Sequence, residues 1–165
     1  MKLALSVAWF AIQFLRLIFS VIIVVLGFLL IFNKQFWVAS ERYPLDEKLV
    51  WVALFVFSIL ALLSSNKLVR AIKNFKEKNI FNPKNVKAFK LAAGVTSVYL
   101  VGKYSLMLYI HSSEQGKLAW HEWWNDSTTQ LSEVISFGML ACFFWVIAKL
   151  IEEGIAYKNE NDLTI

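Results

Sequence analysis

Lys103 sits inside the otherwise uncharged apolar run Leu91–Ile110, and Glu133 lies near the start of another, Leu131–Ile151. A charge at the centre of a membrane helix costs about 2.5–3.5 kcal/mol on insertion scales, so it turns to a partner or to a bundle interior. Lys103 is about 10 Å from the end of its run at 1.5 Å per residue. Glu133 enters from the same side, so the spacing predicts a Lys103–Glu133 pair between antiparallel neighbours. Its chemistry is that of a structural ion pair, or of a lysine snorkelling outward. Ion or proton coupling is the alternative use. Gly94, Ser97, Gly102 and Ser105 on the same run are small enough to admit a close neighbour.

Other reactive types are sparse in pattern. His111, Glu114, His121 and Glu122 are zinc-capable, but His121-Glu122 lacks the second helical histidine of a metalloprotease motif, and no metal is expected. Trp120, Trp123 and Trp124 in that segment suit an interfacial belt. Cys142 is the single cysteine, so no intrachain disulfide exists; it reads as a small apolar packing residue. There is no phosphate loop, nucleophile elbow or CxxC pair. The reading is therefore not an enzyme, with no cofactor.

Two charged segments remain. Ser64–Lys90 carries eight cations: Lys67, Arg70, Lys73, Lys76, Lys78, Lys84, Lys87 and Lys90. Leu68, Ile72 and Phe75 recur at i, i+4, i+7 among them, the pattern of an amphipathic basic helix. Such a helix meets anionic lipid and sets topology, or docks an acidic or helical partner. No nucleic-acid fold motif accompanies it, so no direct nucleic-acid contact is expected. The tail from Glu152 onward holds Glu152, Glu153, Glu160 and Asp162 against Lys158 alone. It is suited to fold back on the basic segment through exposed pairs worth about 0–1 kcal/mol each. Its end, Leu163-Thr164-Ile165, has the form of a capturable C-terminal carboxylate.

The elements that position these residues follow from composition. The chain has 165 residues, is 58% hydrophobic and 18% charged, and has a mean hydropathy of +0.56. Soluble domains are about 45–50% apolar and about 25% charged. The composition excludes a disordered chain, a disulfide scaffold and a collagen-like fibre, and indicates an integral membrane protein. A span needs about 20 apolar residues. Four are read, at about 11–32, 47–65, 88–110 and 129–151, with a basic loop 66–87 and an acidic tail 152–165 in a single domain. The first is read as a retained span rather than a cleaved signal peptide, because Lys34 and Gln35 separate it from Val38-Ala39-Ser40. Asn82-Pro83 supplies a cap and a first-turn proline for the third helix. Ser127 and Gln130 have capping-box spacing ahead of the fourth, and Gly154 is a stop signal after it.

The net charge of +5 then acquires a direction. Twelve Lys and Arg fall on the side of the termini and middle loop, and four in the other two loops. The positive-inside rule places both termini and the middle loop in the cytoplasm.

Two stretches carry a family resemblance. One is Asn79-Ile80-Phe81-Asn82-Pro83-Lys84-Asn85-Val86-Lys87; the other runs from Glu153-Gly154-Ile155 to Asp162-Leu163-Thr164-Ile165. They resemble the bacterial domain of unknown function 2975 family, small membrane proteins with four predicted spans. Lys78-Asn79-Ile80-Phe81 departs from the usual glycine-containing approach, and Tyr157 stands in place of an aliphatic residue. The resemblance implies a bacterial cytoplasmic membrane protein. Genes of this family often lie beside those of small helix-turn-helix regulators, which implies such a regulator as partner.

The expectation is thus an all-α, four-helix integral membrane protein with both termini cytoplasmic, contacting membrane lipid, its oligomeric state open. The candidate interaction residues are Asn82, Pro83, Asn85, Val86, Lys87, Glu153, Gly154, Glu160, Asp162, Leu163, Thr164 and Ile165, with Lys103 and Glu133 as the intramembrane pair. The alternative function is a small transporter or a resistance or immunity protein.

Overall fold

The computed structural model describes residues 2–33, 45–115 and 127–162. They form four helices: α1 (Lys2–Phe32), α2 (Leu45–Lys76), α3 (Pro83–Gln115) and α4 (Ser127–Asp162). The helices hold 31, 32, 33 and 36 residues. At 1.5 Å per residue they are about 46–54 Å long, against a hydrocarbon core of about 30 Å. Each contains a stretch long and apolar enough to cross a membrane, the pattern of a multi-pass membrane protein.

Neighbours in sequence pack as neighbours in space: α1 on α2, α2 on α3, α3 on α4. The pairs are antiparallel. Phe57 meets Tyr99 while Phe75 meets Phe89, and Lys103 pairs with Glu133 while Lys90 pairs with Glu152. Leaving the apolar stretch of each helix toward one end, the first charge met is a cation: Arg16, Lys67, Lys90 and Lys149. These four mark one boundary of the apolar slab. Lys149 is 18 residues, about 27 Å, from Leu131, close to one hydrocarbon thickness.

The buried core is not in the middle of that slab. Leu68, Ala71, Val86, Ala88, Phe89, Ala92, Ala148 and Ile151 cluster at its lysine-rich boundary and beyond, with Ile12, Phe75 and Ile155 packed against them. Within the spans, only 6–22% of each apolar window is buried. The contrast has a physical reason. Water drives apolar side chains together, whereas lipid tails are as apolar as Leu and supply no such force. The alanines at the junction are nearly inaccessible, Ala148 completely so. Their small side chains let three backbones approach.

Several expectations change. The basic amphipathic segment is no separate surface helix: α2 runs on to Lys76, and Leu68 and Ile72 enter the core. Gly154 does not stop α4, which continues to Asp162, so the acidic segment is a helical extension rather than a fold-back tail. The stripe Gly94, Ser97, Gly102 and Ser105 is exposed, and a Cβ added at Gly94 or Gly102 would meet nothing within 4 Å. Close approach uses Ala88, Ala92 and Ala148 instead. Cys142 faces outward from α4 rather than into packing. Pro83 does open α3, as its cap predicts.

Between the helices runs a cleft of about 1150 Å³ with walls from all four, which extends from Trp51 and Tyr99 in the slab past the cation boundary to Ala4, Ile72 and Phe75. Ser58, Ser65 and Thr96 on its walls donate to their own helix at Leu54 O (2.7 Å), Leu62 O (2.9 Å) and Ala92 O (2.9 Å). The lining is consequently apolar in character.

Candidate functional site at the lysine-rich end

The turn between α2 and α3 is built from asparagines. After Lys76 the chain closes a Schellman motif: Asn79 N–H donates to Asn74 O (2.8 Å) and Lys78 N–H to Phe75 O (3.1 Å). Lys78 takes the left-handed position with φ 61°, where glycine is usual. Asn82 Oδ1 then accepts from Lys84 N–H at 2.9 Å and caps α3.

Asn85 locks this turn from inside. It is fully buried, and its Nδ2 donates to Asn79 O (3.0 Å) and Ile80 O (2.8 Å). Its Oδ1 accepts from Asn74 Nδ2 at 2.7 Å. One side chain thereby satisfies two turn carbonyls that lack a helical partner, a requirement of burial. Phe81 reaches over to α4 and lies on Gly154, where an added Cβ would run into the ring. The two stretches that carry the family resemblance therefore touch each other.

This locked turn displays charge. Lys67, Arg70, Lys73, Lys76, Lys78, Lys84 and Lys87 are all exposed. Lys73 approaches Glu77 at 3.9 Å, and Lys76 lies 5.4 Å over the ring of Trp9. Lys90 is the eighth cation and the half-buried one. It pairs with Glu152 (3.0 Å), which also accepts from Lys149 (3.0 Å).

The candidate residues thus divide. Asn85 and Val86 are buried; Pro83, Lys87, Glu153 and Glu160 are exposed; Asn82 and Gly154 are half-buried. Asp162 closes α4, and Leu163, Thr164 and Ile165 lie outside the described residues. So do the side chains of His111, Glu114, His121 and Glu122 and of Trp120, Trp123 and Trp124. Among the described residues, no three His, Cys, Asp or Glu side chains converge.

In the slab, the structure brings Lys103 and Glu133 together as an ion pair. Tyr99 joins them, its hydroxyl donating to Glu133 Oε1 at 3.1 Å, while its ring lies tilted between those of Phe57 and Phe137. Tyr99 was not foreseen as a member, although it stands four residues before Lys103 and so on the same helix face. The trio is self-neutralising, which lowers the cost of each charge in lipid. Arg16 is only partly served: its Nη1 donates to Gln13 Oε1 at 2.6 Å, and its Nε is buried without a partner.

Residues 18–165 match the model of the family described as "Protein of unknown function (DUF2975)". No curated protein and no solved structure matches the chain. The match covers the end of α1, the asparagine turn and the whole of α4, including both stretches joined by the Phe81–Gly154 contact, and by it the chain belongs to the DUF2975 family.

Proposed function

We propose that the protein is a non-enzymatic membrane interaction protein of the bacterial cytoplasmic membrane, whose lysine-rich end faces the cytoplasm and docks an acidic surface of a small helix-turn-helix regulator. One observation carries this reading: seven exposed cations are held on a head that is packed and hydrogen-bonded to itself. A docking surface gains affinity when its groups are already ordered. Charge complementarity across such a surface also speeds encounter and rejects basic partners. The twelve-to-four bias of Lys and Arg supports the cytoplasmic orientation. The test is capture of the co-expressed regulator by the full chain and by Lys73→Glu/Lys84→Glu/Lys87→Glu. Capture by the full chain that weakens at high salt and is lost in the triple variant is the expected result; equal capture refutes the reading.

The alternative of a small transporter or resistance protein draws on the Tyr99–Lys103–Glu133 trio within the spans. Lys103→Met and Glu133→Gln test it. A lost transport or sensitivity phenotype in both, with insertion intact, favours transport. Retained phenotypes leave the trio as a structural pair.

A further inference from the structure

Lys90 and Lys149 share a single carboxylate. Lys90 Nζ lies 3.0 Å from Glu152 Oε1, and Lys149 Nζ lies 3.0 Å from Oε2. Within this group of three the net charge is +1, and the next carboxylate on α4, Glu153, is exposed. Lys90 Nζ also sits 5.7 Å over the ring of Trp145. On α4, Trp145, Lys149 and Glu152 follow at i, i+4 and i+7, one helix face. Lys87 stands exposed one turn beyond Lys90 and adds a further cation to the same flank.

The position matters as much as the charge. Lys90 and Lys149 are two of the four cations that bound the apolar slab. Lys149 is about 27 Å from Leu131, where a lipid headgroup meets the chain. The side chains are accessible there, 37% for Lys90 and 53% for Lys149. Toward the slab, the flank continues with exposed Leu91, Trp145 and Val146. Apolar wall below, an indole at the interface and surplus cations above match the parts of a phospholipid in order. Basic pockets between helices at this depth recognise anionic headgroups, and Trp anchors at the same level.

We propose that Lys90, Lys149 and Trp145 form a binding site for the phosphate headgroup of an anionic phospholipid on the α3–α4 flank. Glu152 orders the two lysines and limits their affinity for the headgroup. Lys90, Lys149 and Trp145 are not part of the regulator-docking surface, which borders the site at Lys87, so substitutions at Lys149 and Glu152 test the site apart from that surface.

The test uses the full-length protein in detergent with native mass spectrometry, counting bound phosphatidylglycerol and phosphatidylcholine. Phosphatidylglycerol should be retained and phosphatidylcholine should not. Lys149→Gln should weaken retention about fivefold, one cation's worth at a membrane surface. Glu152→Gln should strengthen it by about the same factor, because it removes the competing carboxylate. Lys149→Arg should keep it, and Lys73→Gln, away from the flank, should not change it. Helix content by circular dichroism checks that each variant folds. Equal retention of the two lipids overturns the proposal, as does a Glu152→Gln variant that loses lipid as Lys149→Gln does, the pattern of a purely structural pair. Displacement of phosphatidylglycerol by millimolar inorganic phosphate also overturns it, since the ligand would then be a soluble anion.

Discussion

Asn85 shows how one side chain sets the geometry of a whole end. Its three hydrogen bonds, at 2.7–3.0 Å, tie α2, the turn and α3 together without access to water. Asn85→Ala removes the partner of Asn79 O and of the Asn74 amide, while Ile80 O keeps Asn82 N–H at 2.9 Å. It should cost about 2 kcal/mol, read as a lower midpoint in thermal unfolding followed by circular dichroism. Lys78 makes the opposite prediction. A side chain at φ 61° is strained where glycine is not. Lys78→Gly should therefore raise stability by about 1 kcal/mol, measured the same way, with no change in the fold. Asn85 was visible in the sequence as part of a recognisable motif, and its type suggested an outward polar contact. Its inward direction could not be read there, because it depends on where α2 ends relative to α3.

At the scale of elements, helix contacts at the lysine-rich end are made through alanine, and those in the slab are sparse. Ala148 has no accessible surface, so Ala148→Leu must displace α2 or α3 and should cost about 2 kcal/mol. At Gly94 an added Cβ meets nothing within 4 Å, so Gly94→Ala should not destabilise and should gain up to about 1 kcal/mol from helix propensity. A pair of melting curves checks the contrast, and the reverse order would show that the small-residue stripe is the true interface. Helix existence was legible from run length, and the start of α3 from Asn82-Pro83. Helix ends were less so. Gly154 carries a stop signal, yet it serves as the seat of Phe81, and α4 continues past it. A glycine's two uses, turning and yielding space, look alike until the neighbouring ring is placed.

For the whole molecule, the cation boundary divides the protein into a lipid-facing part and a packed head. Cys142 provides the test. It is exposed on α4 but seven residues, about 10 Å, inside Lys149. In intact vesicles Cys142 should resist a water-soluble maleimide, and Lys73→Cys in a Cys142→Ala background should label from the lysine-rich side. Labelling of Cys142 at the rate of Lys73→Cys would place the boundary elsewhere. The 1150 Å³ cleft crosses that division, lined by Phe57 and Tyr99 on the slab side and by Ile72 and Phe75 on the head side.

Run length and charge are local properties, and they alone determined four helical spans, a lysine-rich side and the Lys103–Glu133 pairing across antiparallel neighbours. Tertiary structure decided what local pattern leaves open. It placed the core beyond the slab, turned Asn85 inward, seated Phe81 on Gly154, added Tyr99 to the intramembrane pair and gave Glu152 two lysines. Each of these depends on which residues of distant helices reach the same level, and helix periodicity carries no information about a neighbour's register.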